Sequence, residues 1–329
     1  MQLVERRETV ELTAVQGNRS HPAKRLGLSR AGLTECKRSP DSSTNPLSMF
    51  MTFTELTKPR ITTLVIFTTA TGLWLAPVRP QAYTVFLTLI GTALVVAAAN
   101  VLNMYLERDT DALMPRTMCR PLPSGRIHPK LALGFGLLLA ATSVPLLAFA
   151  VGRLPGLLAA IALVSYVLIY TPMKRYTPAA LLVGSVAGAI PPLIGWTAAT
   201  GSLDLPGILL FAVLYLWQVP HFLAISLVHS KEFAQAGLQV QPNRPDGQRK
   251  TRRNIVWYTA MLVAVSLLFV PLRIAGVGYL AAAVISGALF LWYGLRGLRP
   301  ESGSRWARTE FLASLAYITI LLVGLVVDH

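Results

Sequence analysis

"NVLNMYLERDTDALMPRTMCRPLPSG", residues Asn100 to Gly125, starts inside an apolar run and then sets Glu107, Asp109 and Asp111 within five residues. The run behind it is about twenty residues long, enough to cross a bilayer as a helix. Charge at its edge therefore lies where a membrane span meets water. Composition agrees: of 329 residues, 53% are hydrophobic and only 14% charged, against about a quarter charged in soluble domains. The chain reads as an all-α polytopic membrane protein with room for about nine spans and no second globular domain.

Apolar segments recur near 61–77, 82–106, 131–151, 155–170, 179–199, 207–228, 255–271, 275–295 and 310–327, which makes nine transmembrane helices by length. Small residues in "LVGSVAGAIPPLIGW" and "ATGLW" suit close helix packing in lipid, and Pro191 and Pro192 are expected to kink the fifth span. Residues 1–48 are polar and basic without a long apolar stretch. They read as a disordered tail ahead of a membrane domain over 49–329. A start at Met49 or Met51, the alternative reading, would remove the tail and leave the first span intact. The two cysteines, Cys36 and Cys119, have no zinc or haem-attachment spacing, so neither a cysteine metal site nor a disulfide framework is expected.

A formal net charge of +15 would suggest nucleic acid as the partner of a soluble chain, but the topology explains it differently. Loops after spans 2, 4, 6 and 8 hold 17 Lys and Arg, and those after spans 1, 3, 5 and 7 hold 3. The positive-inside rule then makes the N-terminus and the even loops cytoplasmic and puts the C-terminus outside. No nucleic-acid partner is needed.

On a helix continuing to about Met114, Asn103, Glu107 and Asp111 lie at i, i+4 and i+8, a stripe about 12 Å long that Asn100 joins. Asp109 points about 160° away, as a solvated or Arg-paired carboxylate. Carboxylates in a last helical turn face the negative end of the macrodipole and call for a cation. Arg108, Arg116 and Arg120 would supply it in a structural ion-pair cluster. The alternative is Mg²⁺, which takes hard oxygen ligands and usually binds through a few carboxylates plus substrate phosphates. Arg116, Arg120 and Arg126 just downstream favour the second reading, because Arg forks beside metal-holding carboxylates make a diphosphate site. A second stretch, "WQVPHFLAISLVHSKEFAQAGLQVQP" (Trp217–Pro242), also ends a span in titratable groups: His221, His229, Lys231 and Glu232. With Lys58, Arg60, Lys174 and Arg175, the two stretches look like one convergent site.

Four blocks, "KPRITTLVIFTTATG" from Lys58, "NMYLERDTDALMPRTMCRPLPSGRI" from Asn103, "YTPMKRYTPAALLVGSVAGAIPPLIGWTAATG" from Tyr170 and "WQVPHF" from Trp217, resemble the protohaem IX farnesyltransferase family of UbiA-type membrane prenyltransferases. The resemblance implies a nine-helix bundle around a lipid-accessible chamber in the bacterial plasma membrane. It implies transfer of farnesyl from farnesyl diphosphate to a vinyl group of haem B, with water adding, to give haem O and pyrophosphate. A downstream haem A synthase would consume the product. Mg²⁺ would sit on Asn103, Glu107, Asp111 and Glu232, with Arg116 and Arg120 sharing in catalysis, Lys58, Arg60, Lys174 and Arg175 clamping the diphosphate, and Trp217 and His221 near the haem. Tyr170, Trp196, Trp217 and Phe222 are candidates to face the allylic cation.

Two departures stand out: Glu107 and Glu232 occupy positions where the family carries Asp, and "LQVQP" replaces Pro-Met-Leu-Pro. Mg²⁺ demands near-ideal octahedral geometry, so the longer acids imply either a re-fitted site or an impaired haem-binding relative. Other readings are a UbiA-type enzyme acting on a quinone precursor, which should lack the Arg-Pro-Leu and Trp-Gln-x-Pro-His blocks, and a secondary transporter, whose acids would lie nearer the midplane.

Overall fold

A computed structural model describes residues 46–299 and 302–328. The expected tail lies outside them except for its last three residues, which open a helix. The described chain is helical: α1 (Pro46–Leu56), α2 (Pro59–Trp74), α3 (Ala82–Asp111), α4 (Pro129–Pro145), α5 (Arg153–Val164), α6 (Ala180–Thr200), α7 (Leu205–Val228), α8 (Ser230–Gln235), α9 (Gly247–Leu267), α10 (Val277–Arg296) and α11 (Ser304–Val327). α4 runs on as a π-helical stretch over Leu146–Val151, and α5 does so over Ser165–Tyr170 before closing at Thr171–Met173.

Among the described residues nine long helices match the nine expected apolar segments, but only seven of them, α3 to α7, α10 and α11, are long and apolar enough to cross a membrane by themselves. α2 has 16 residues, and α9 opens with the charged "GQRKTRRN". α6 is one continuous helix through Pro191 and Pro192.

Lipid tails are as apolar as leucine, so helix association in a bilayer rests on tight packing rather than on hydrophobic transfer. The small residues provide it. A methyl group on Gly72 would overlap the carbonyl oxygen of Pro192, and one on Gly195 would overlap that of Thr69, so α2 and α6 meet backbone to backbone. Backbone cannot yield as a side chain can. Gly195→Ala should therefore cost about 3 kcal/mol, seen as a fall in the thermal midpoint of the detergent-solubilised protein. An unchanged midpoint would mean that the helices can separate.

The largest buried cluster joins α6, α7, α9, α10 and α11 through Trp196, Trp217, Phe269, Tyr279, Phe290 and Tyr317. Two smaller clusters set the site. Leu56, Val101, Met104, Leu122 and Ile127 pack α1 and the segment after α3 against α3 itself. Met114, Ala236 and Leu238 bury together, which brings the segment after α3 to the segment after α7. Gln239 N–H donates to the Lys174 carbonyl at 3.1 Å, adding the end of α5. Cys119 is disulfide-bonded, contrary to the sequence expectation, since nothing in the residues around it announces a bridge.

Candidate active site

The C-terminal turns of α3 form the floor of the site. Asn103, Glu107 and Asp111 are 3%, 5% and 1% exposed, so the stripe read from the spacing faces inward over its full length. Asp109 is 83% exposed beside Arg108, 3.8 Å away, on the opposite side as expected.

Each buried group on the stripe has a partner from elsewhere in the chain. Asn100 Nδ2 donates to the Thr57 carbonyl at 3.2 Å, fixing the corner between α1 and α2. Asn103 Nδ2 donates to Thr171 Oγ1 at 3.0 Å, and Thr171 in turn donates to the Tyr166 carbonyl five residues back, at 2.8 Å. That five-residue reach belongs to the π-helical end of α5, a feature often found at functional sites. Glu107 ion-pairs with Lys174 Nζ, and Asp111 takes Arg120 Nη1 at 2.8 Å. Buried carboxylates without such partners would cost several kcal/mol each.

Glu232 comes from α8. Its Oε1 lies 3.1 Å from His229 Nδ1 and its Oε2 lies 4.0 Å from Arg116 Nε, so the second sequence stretch meets the first through Arg116. Lys58 precedes Pro59 in a left-handed conformation, φ 50°, rare for a residue with a side chain. Burial, with the nearby Arg120 and Arg116 charges, lowers its pKa to about 8 against the opposing pull of Asp111. Lys174, 5.5 Å above the Tyr170 ring, is lowered to about 7 by burial and by Lys58 and Arg175, while its pairing with Glu107 pulls the other way. Three separate segments therefore bring Lys58, Arg120 and Lys174 to the two α3 carboxylates.

Other expected site residues lie elsewhere. Arg60 is exposed. Arg175 donates to the Leu106 carbonyl at 3.1 Å and so ties α5 to α3. Arg126 forms a two-pronged pair with Glu55 at 2.7 and 2.9 Å, which docks α1 instead of facing the carboxylates. Trp217 and His221 turn to α11: Trp217 Nε1 donates to the Ser314 carbonyl at 2.6 Å, and His221 Nδ1 lies 2.8 Å from Ser314 Oγ. Trp196 is buried against Gly207, and Phe222 is 39% exposed. The sequence reading singles out neither Thr171 nor Tyr166; the one signal is their place around the "YTP" that opens the block from Tyr170.

Among the described residues no group of three or more His, Cys, Asp or Glu could hold a metal by itself. The donors along the stripe, two carboxylates and an amide, are hard oxygens. They suit a small cation whose remaining ligands are phosphate oxygens and water, with Glu232 approaching from α8.

Residues 65–315 match the UbiA prenyltransferase family. A protoheme IX farnesyltransferase of Sorangium cellulosum is 55% identical over 241 residues, 73% of this chain and 86% of that protein. The chain belongs to the UbiA prenyltransferase family. The Myxococcus xanthus protoheme IX farnesyltransferase is 49% identical, over 83% of this chain and 93% of its own length. Among solved structures, a digeranylgeranylglyceryl phosphate synthase superposes with a TM-score of 0.74 at 20% identity, covering 85% of this chain and 98% of its own. A UbiA homolog from Archaeoglobus fulgidus bound to GPP and Mg²⁺ gives 0.57 at 14% identity, covering 83% and 99%. These structures share the all-helical fold with this prenyltransferase.

Proposed function

We propose that this UbiA prenyltransferase moves the farnesyl group of farnesyl diphosphate onto a vinyl group of haem B, with addition of water, to give haem O and pyrophosphate. The observation that carries this reading is the convergence of Lys58, Arg120 and Lys174 on buried Glu107 and Asp111, in a chain 55% identical to a protoheme IX farnesyltransferase. The basic end of the bundle faces the cytoplasm and the C-terminus lies outside, in the inner membrane of a bacterium. A haem A synthase is the expected consumer of the product.

The bond between farnesyl C1 and its bridging oxygen breaks, and the electron pair leaves with pyrophosphate. The haem vinyl group supplies the electrons of the new carbon–carbon bond. The cation left beside the macrocycle takes water, which gives up a proton. Mg²⁺ bound through Asn103, Glu107 and Asp111, with Glu232, would neutralise charge on the leaving diphosphate. Arg120, Lys58 and Lys174 supply fixed positive charge at the same place, worth more in a water-poor site than in solution. Tyr166 and Tyr170, ring centres 5.2 Å apart, offer π faces beside it, each able to favour an allylic cation by about 0.5–2 kcal/mol.

The test is incubation of membranes holding the protein with haem B, farnesyl diphosphate and Mg²⁺, with and without a chelator. Haem O detected by mass only in the chelator-free sample is expected; equal yields in both would remove the metal from the reading. The lowered Lys58 pKa, about 8, adds a pH prediction. As pH rises through that value the ammonium loses its charge, so the KM for farnesyl diphosphate should climb. Lys174, lowered to about 7, loses its charge in the same range, so the Lys58→Arg, Lys174→Arg double variant, which stays charged, should move that alkaline limb upward by at least about one pH unit. A limb that does not move places both lysines outside the diphosphate site.

A further inference from the structure

A cavity of about 490 Å³ lies beside the carboxylate site, enclosed by the end of α7, α8 and the starts of α9 and α11. Glu232 and His229 line it. Because Glu232 also reaches toward Arg116, one side chain borders both spaces. Lys231, Arg252 and Arg308 contribute three cationic groups to the lining, while Leu227, Val228 and Trp306 give it an apolar part. The one carboxylate in the wall, Glu232, is already shared between His229 and Arg116, which leaves the cavity with excess positive charge. Arg252 is held in place from behind: its Nη groups donate to the Arg299 and Ser302 carbonyls, and its buried Nε makes no hydrogen bond.

The chemistry this cavity recognises is an amphipathic anion: carboxylates for the cations and a flat apolar edge for Trp306. We propose that it is the acceptor's carboxylate site, in which Lys231, Arg252 and Arg308 take the two propionates of haem B. The proposal rests on the farnesyl-transfer reading above and extends it to the second substrate. Haem carries its propionates on the edge of the macrocycle remote from the reacting vinyl group. Anchoring that edge on the far side of Glu232 leaves the vinyl side free to reach toward the donor. Arg–carboxylate forks also fix orientation as well as affinity, and orientation decides which vinyl group is presented.

The experiment compares haem B with its propionate dimethyl ester, which keeps the macrocycle and loses both charges. Binding to the detergent-solubilised full chain is followed by the haem absorption band, for the unmodified protein and for the Lys231→Ala, Arg308→Ala double variant. Both positions are exposed, so folding should survive; Arg252 is left intact because its guanidinium holds the Arg299 and Ser302 carbonyls. The unmodified protein should bind haem B at least tenfold more tightly than the ester. The double variant should lose most of that preference and show a KM for haem about tenfold higher, with its KM for farnesyl diphosphate within about twofold. Equal binding of haem and ester by the unmodified protein, or a preference that survives both substitutions, overturns the carboxylate site. If haem O still forms in that case, the farnesyl-transfer reading stands without it. If the unmodified protein makes no haem O at all, that reading falls and this proposal falls with it.

Discussion

Glu107→Gln is expected to lower the kcat of haem O formation about 10²- to 10³-fold, the size of loss seen when a preorganised charged or hydrogen-bonding group is removed from a reacting centre. Glutamine keeps the shape of the side chain and its reach toward Lys174, but it cannot serve as an anionic oxygen ligand. It also leaves the Lys174 ammonium without its counter-charge in a buried setting. The effect should fall on kcat more than on the KM for haem, because Glu107 does not line the cavity proposed for the acceptor. A variant that purifies with an unchanged thermal midpoint yet retains more than a third of the activity would eliminate Glu107 from the reaction. The Glu107→Asp, Glu232→Asp double variant asks the complementary question. Higher activity in that variant would mean that the longer acids hold their oxygens out of place.

Arg120→Ala should be nearly as damaging, lowering kcat/KM for farnesyl diphosphate about 10²-fold or more. Two losses coincide. The guanidinium that would grip a phosphate disappears, and Asp111, 1% exposed, loses the partner 2.8 Å away that justifies its burial. Breaking one side of such a pair typically costs about 3–5 kcal/mol, so stability will fall as well. Arg120→Ala combined with Asp111→Asn separates the two effects, since the neutral amide no longer needs a counter-charge. Stability restored without activity is the expected result. Recovery of both would make the pair structural and leave the diphosphate to other groups.

What could be read in advance divides along physical lines. Spans such as 82–106 and 207–228 are legible because apolar length is a local property. So is the inward stripe of Asn103, Glu107 and Asp111, because 3.6 residues per turn fixes it once the helix is granted. Partner choice is not local. Arg120 and Arg126 look alike on paper, yet one meets Asp111 and the other meets Glu55; the difference comes from where α1 docks, through Leu56 in a buried cluster. Trp217 and His221 sit in a telling block, but the rotation of α7 about its own axis turns them to Ser314, and nothing in the six residues of that block sets the rotation. The π-helical end of α5 was likewise invisible, since no residue pattern in "SYVLIY" announces an i to i−5 bond. It is what turns Thr171 onto Asn103.

Glu107 pairs with Lys174 and Asp111 with Arg120, so both carboxylates at the heart of the site already have a basic partner before any substrate arrives. On the proposed reading, a diphosphate arriving with its cation would exchange partners at these couples, its phosphates meeting the basic side chains while the carboxylates would hold the cation, and the couples would be free to re-form once pyrophosphate had left.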